Sequence, residues 1–198
     1  TYGRLRLRET LACSVPTRGG DALSGDQLSM DLGVPVEQTA WGKWVDPQRR
    51  EARAREFMEY AGLDGIPDEP WADDSEEVKR LDIIVADLFP DVDTAKSSDM
   101  ADAFICFLGE CYIRFAGARW IEWEWADDED TFYENVNPAL ECDTYDDDEI
   151  SAWSLMNDMI NYAPDTYDGM FSYAAAALRQ YAEDHRAKQE DGLQSTDG

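Results

Sequence analysis

One stretch limits the possible folds of this chain more than any other. From Ala103 through Phe104, Ile105, Cys106, Phe107, Leu108, Cys111, Tyr112, Ile113 and Phe115, apolar residues fall on nearly every side of a helix closing at Gly117. A helix that is apolar all round must be surrounded, so this segment, opening at Ser97 or Ser98, is expected to be the hub of the core. Directly after it, Ile121, Trp123 and Trp125 alternate with Glu122 and Glu124. A period of two predicts a strand with aromatics inward and carboxylates outward. Asp127–Asp130 then reads as a turn, Thr131–Val136 as a returning strand, and Ala139–Cys142, after Asn137–Pro138, as a third.

Helix signals flank this centre on both sides. Asp46 before Pro47 caps a first helix over 46–62, carrying Ala54, Phe57, Met58 and Ala61 until Gly62. Ser75 caps a second, with the stripe Val78, Leu81, Ile84, Val85 and Leu88, stopped by Pro90. Asp146, Asp147 and Asp148 stand where a fourth helix favours negative charge, and Ile150, Trp153, Asn157 and Ile160 carry it to Pro164. A last helix starts near Asp168 and passes through Met170, Ala174, Ala177, Leu178 and Tyr181. The reading is an α+β fold, mostly helical, with about five helices around a small antiparallel sheet. Residues 1–30 are expected to be a basic N-terminal arm or appendage, 31–187 a single α+β domain, and 188–198 a disordered tail.

Charge decides which partners are open to such a fold. Lys and Arg number 17 against 44 Asp and Glu, a net charge of -27. Direct binding to nucleic acid or to an anionic membrane surface is thereby disfavoured. No apolar run approaches the roughly 20 residues of a membrane span. Arg4, Arg6 and Arg8 also interrupt the place where a signal peptide would be apolar, so a cytoplasmic location is the expectation. Cys13, Cys106, Cys111 and Cys142 form no C-x-x-C pair, and His185 is the sole histidine, so buried reduced thiols are expected and neither a metal site nor a cofactor.

Between Ile121 and Glu149 stand thirteen acids and no Lys or Arg. Exposed like charges repel by a few tenths of a kcal/mol per close pair, a strain with two readings. One is a solvated face that keeps the protein dispersed. The other is a docking surface for a basic protein, a toxin or a nucleic-acid-binding protein, with aromatic anchors among the charges. On that reading the partner-binding residues are Glu122, Trp123, Glu124, Asp127, Asp128, Glu129, Asp130, Tyr133, Asp146, Asp147 and Asp148. An EF-hand fails here: counted from Asp143, the third position is Tyr145 and the twelfth Ser154.

Catalytic signals are thin. Glu110 is the acid most out of place in the apolar helix, and Arg114 at i+4 suggests an intrahelical ion pair. No nucleophile, base and orienting group can be assembled around the single histidine, and no phosphate-binding glycine loop occurs. A hydrolase using Glu110 with Glu122 or Glu124 would need those carboxylates to converge. Gly109 reads as a point of close helix packing and Gly117 as a C-terminal cap.

The run Leu108-Gly109-Glu110-Cys111-Tyr112-Ile113-Arg114-Phe115-Ala116-Gly117-Ala118-Arg119-Trp120, with strands after it and Asn137-Pro138 beyond, resembles a helix-to-hairpin module of small bacterial proteins, some of them immunity-like. The likeness covers residues 98–142. It implies an α+β fold and a protein-binding role, and brings no catalytic residue. The leading expectation is an acidic, non-enzymatic protein that binds and neutralises a basic partner, as an immunity protein or a nucleic-acid-mimicking inhibitor does. The rival is a salt-adapted or generally acidic cytosolic protein of unknown activity, a hydrolytic one among the options; the bias of Asp over Glu (27 to 17) and of Arg over Lys (13 to 4) fits it.

Overall fold

The computed structural model describes residues 39–124, 130–166 and 168–194. The basic arm expected over residues 1–30 lies outside them. Among the described residues seven helices accompany a three-stranded antiparallel sheet, which is the expected α+β class with two additional short helices, α1 (Ala40–Val45) and α4 (Val92–Lys96).

The long helices begin and end where local chemistry dictates. In α2 (Pro47–Ala61), Asp46 accepts the Arg49 N–H at 3.0 Å and Gly62 closes the helix in the left-handed region. Ser75 accepts the Val78 N–H at 3.2 Å to open α3 (Glu76–Leu88). Ser98 caps α5 (Asp99–Ala116), and Gly117 at φ 58° ends it, a conformation that costs glycine little.

Helix α5 is enclosed as its composition requires. Phe104, Ile105, Cys106, Phe107 and Leu108 have no exposed surface, each large side chain contributing about 1.5–3 kcal/mol by leaving water. Phe57 of α2 meets Phe104 and Phe107 at ring centroid distances of 4.8 and 4.9 Å. Phe107 and Trp71 pack on Phe171 of α7 (Met170–Gln194), and Tyr112 meets Tyr181 edge-on. Asp82 of α3 fastens the start of α7 by accepting from the Ser172 N–H and Oγ at 2.8 and 2.6 Å. The backbone N–H is a donor that a helix N-terminus otherwise leaves bare.

The sheet runs β1 (Arg119–Glu122), β2 (Pro138–Glu141), β3 (Glu149–Ser151), in that order. Trp120 lies opposite Leu140, and Leu140 opposite Ile150. Here the structure corrects the expected phase, because the residue of β1 that enters the core is Trp120. It does so because Gly109 leaves a slot: a Cβ there would stand 1.9 Å from Trp120 Cζ2. Residues 131–136 form no strand; Phe132 and Tyr133 instead fold back on the core.

Two more expectations are revised. Asp146–Asp148 do not open a helix but turn the β2–β3 hairpin. Asp147 sits at φ 47°, Cys142 N–H donates to the Asp148 carbonyl at 2.8 Å, and Thr144 Oγ1 bonds the Asp148 carboxylate at 2.9 Å. Aspartate tolerates this left-handed turn as readily as a helix start, and the pairing of β3 with β2 decides between them. Helix α6 therefore begins at Ala152 and continues past Pro164 to Thr166. Likewise α7 passes Lys188 and extends to Gln194, so the first part of the expected tail is helical.

Candidate functional site

Of the eleven residues expected to meet a partner, Asp127, Asp128 and Glu129 lie outside the described residues. The other eight do not form one face. Glu122, Trp123, Glu124 and Asp130 gather where β1 ends, Trp123 N–H donating to the Asn137 carbonyl at 2.8 Å. Asp146, Asp147 and Asp148 lie at the opposite end of β2. Five steps of extended chain, from Asn137 to Cys142, separate the two ends by about 16 Å.

The hairpin acids are partly occupied by the fold. Lys188 of α7 reaches Asp147 at 3.0 Å and Asp143 at 2.9 Å. Tyr145 donates to the Ala187 carbonyl and to Asp191. His185 Nδ1 donates to the Asp143 carbonyl at 2.8 Å, and its ring covers Gly117, so the lone histidine pins α7 to the hairpin.

Tyr133 is likewise taken. Its hydroxyl donates to Asp102 Oδ1 at 2.8 Å, and its ring meets Trp44 edge-on at 5.7 Å. Burial, with the Asp102 charge beside it, pushes the phenol well above its ordinary range. Asp102 also receives Trp44 Nε1 at 3.2 Å, Arg49 Nη2 at 2.7 Å and Arg53 Nε at 2.9 Å. Burial alone would raise the Asp102 carboxyl, but the hydrogen bond and charge of Arg49, with Tyr133 and Arg53, hold it below the ordinary value. With four donors on one carboxylate, Asp102 ties α1, α2 and the β1–β2 connection to α5. This clamp was missed in the sequence, although Arg49 and Arg53 one turn apart and an acid between Ala101 and Ala103 are its visible traces.

Glu110 does not pair with Arg114. Its partner is Arg50 of α2, while Arg114 turns to Asp68. Burial raises the Glu110 carboxyl, the Arg50 charge opposing only in part. Glu110 sits at the α2–α5 seam, while Glu122 and Glu124 are exposed at the far end of β1.

At that end a hollow of about 250 Å³ opens, lined by Trp123, Asp130, Asn137, Ser151, Trp153 and Ser154. Asn137 is 6% exposed, and its side-chain amide pairs with no other described residue. Ser154 N–H and Oγ meet Ser151 Oγ at 3.1 Å. Lys96 places its ammonium 4.5 Å from the centroid of the Trp153 ring. Among the described residues Glu122, Glu124, Asp130 and Glu134 join no ion pair with Lys, Arg or His. A second hollow, about 300 Å³, brings Arg114, His185 and Arg186 near Asp68 and Glu69, and both arginines are paired there.

Among the described residues no group of His, Cys, Asp and Glu is placed to hold a metal ion, and no helix is long and apolar enough to cross a membrane. Comparison with protein-family models, curated proteins and solved structures found no match for this chain.

Proposed function

We propose that the chain is an acidic, non-enzymatic protein that binds and neutralises a basic protein, in the manner of an immunity protein or a nucleic-acid-mimicking inhibitor. A single observation carries the reading. At the end of β1 the acids Glu122, Glu124 and Asp130 stand exposed without a cation among the described residues, with half-buried Trp123 between them. Bare charge around an aromatic anchor is the anatomy of a protein interface, and the charge speeds capture of a basic surface. Clustered carboxylates that find no cation among the described residues gain no ion pair there and repel one another, which favours a partner as their reason.

The test uses the full chain as bait in a lysate of its native host, followed by association kinetics with the basic protein retained. Wild-type association is expected to slow at least tenfold between about 20 and 300 mM NaCl. Replacing Glu122, Glu124 and Asp130 together by Lys slows it comparably at low salt. If no basic protein is retained, or if the triple variant associates at the wild-type rate, the reading is wrong.

A further inference from the structure

The hollow at the end of β1 is smaller than the roughly 300–1,000 Å³ that holds a drug-sized molecule. Its scale is that of one side chain. Trp123 and Trp153 line it with Ser151, Ser154 and the exposed Asp130. Asn137 supplies the observation that points to a ligand. It is 6% exposed, its carbonyl is occupied by Trp123 N–H, and its side-chain amide has no partner among the described residues. The sole fully enclosed side-chain polar atom left unpaired among those residues is Trp120 Nε1. The Asn137 amide is therefore unpaired without being sealed in, and Asn137 is among the residues that line the hollow. Buried amides are ordinarily satisfied, so a polar group completes this one.

We propose that the hollow receives one arginine side chain of the basic partner. Its guanidinium lies against the indoles of Trp123 and Trp153 and donates to the Asp130 carboxylate and Asn137 Oδ1. The planar fork of arginine suits this set of acceptors and ring faces better than the compact, strongly hydrated ammonium of lysine. Lys96 over Trp153 shows that the chain already sets a cation on one of these rings. The inference rests on the reading of the chain as a binder of basic protein. It names the contact that holds the partner once charge has drawn it in, the part normally played by a buried arginine hot spot.

The full chain, labelled with 15N at the indoles of its seven tryptophans, is titrated with acetyl-Gly-Arg-Gly-amide. Parallel titrations use the lysine tripeptide, the citrulline tripeptide of equal shape and no charge, and methyl glucoside. The arginine peptide is expected to shift the Trp123 and Trp153 indoles saturably, with Kd on the order of 1 mM. Citrulline binds about tenfold weaker, lysine several-fold weaker, and Asp130→Asn and Asn137→Ala each cost about tenfold. Asp130 is exposed, so its variant keeps the test valid if Asn137→Ala disturbs folding. Shifts spread over many indoles without saturation, an equal response to citrulline or to the sugar, or an unaffected Asp130→Asn variant would each overturn the site. If the peptide saturates the two indoles while no basic protein is captured from the host, the broader reading falls and the arginine site stands. If a captured partner associates in a salt-dependent way but leaves Asp130→Asn and Asn137→Ala at the wild-type rate, the site falls and the reading stands.

Discussion

Gly109→Ala isolates the contact that seats the sheet on the central helix. In an exposed helix this change would stabilise by about 1 kcal/mol, because alanine is the better helix former. Here the new methyl would stand 1.9 Å from Trp120 Cζ2, 2.7 Å from Cε2 and 3.0 Å from Cη2. Ordinary contact begins near 3.4 Å, so the ring must retreat by about 1.5 Å. It cannot do so freely, since Trp44 abuts it edge-on with centroids 4.9 Å apart. Overpacking costs about 1–3 kcal/mol, and loss of the edge-to-face contact about 0.5–1.5. After the helix gain is subtracted, a net loss of about 2 kcal/mol remains, or a fall in Tm of about 4–8 °C for a chain of this length. Urea unfolding followed by far-UV circular dichroism gives the number. In a Trp120→Phe background the smaller ring leaves room, and the same substitution should be neutral or favourable, a coupling of at least about 1.5 kcal/mol. A Gly109→Ala chain as stable as wild type would refute the idea that this slot sets the phase of β1.

Other perturbations read other parts of the fold. Asp102→Asn leaves Arg49 and Arg53 facing a neutral amide and should cost about 3 kcal/mol at pH 7 by chemical denaturation. Because the Asp102 carboxyl is held below its ordinary value of 3.8, its contribution is full above that value and fades as pH falls through the folded value; stability curves of wild type and variant that stay parallel down to pH 3 would contradict the clamp. Burial pushes the Cys106 and Cys142 thiols up to about 12 and Cys111 well above its usual range, so in a Cys13→Ser chain a thiol reagent at pH 8 should label none of the three until urea is added; prompt labelling would show an opened core. Melting in about 10 mM and in 1 M NaCl should find the chain folded in both, with Tm a few degrees higher in salt; unfolding at the low concentration would favour the salt-adapted reading.

What was legible in the sequence was what neighbours in the chain decide. Asp46 with Pro47, Ser75, Ser98, Gly62 and Gly117 are local signals, and each marks a helix end within a residue or so. Where two elements had to meet before a choice was made, the reading went astray. The alternation over 121–125 suggested inward Trp123, yet β1 is four residues long and its phase is set by a slot eleven positions before Trp120, at Gly109. Asp146–Asp148 suit a helix start and a left-handed turn equally well, and only the pairing with β2 arbitrates. Arg114 sits four residues from Glu110, but α2 lays Arg50 closer to that carboxylate. The candidate site divides the same way: Glu122, Trp123, Glu124 and Asp130 were visible as a cluster, whereas no spacing links Trp123 to Trp153 or Asn137 to Ser154, because the turn of the chain at β3 brings them together.

The distribution of positive charge gives the acidic end of the sheet its meaning. Three arginines of α2 bind α5 through Asp102 and Glu110; Arg114, Arg179 and Arg186 fasten α5 and α7 to Asp68, Asp73 and Glu69; Lys188 ties α7 to the hairpin. Arg119 crosses from β1 to Glu141 of β2. Among the described residues many of the cations that a net charge of -27 leaves scarce thus join one element to another, and Arg49, Arg50 and Arg53 do so half-buried at the α2–α5 seam, where an ion pair counts for more than in open water. None among the described residues is placed to neutralise Glu122, Glu124 or Asp130. A coat that served dispersal alone would need no such concentration, since scattered charge repels neighbours as well at less cost to folding. Among the described residues these acids go uncompensated, and one of them, Asp130, lines the same hollow as Trp123, Trp153 and the unpaired Asn137, the concentration on which the proposed arginine site rests.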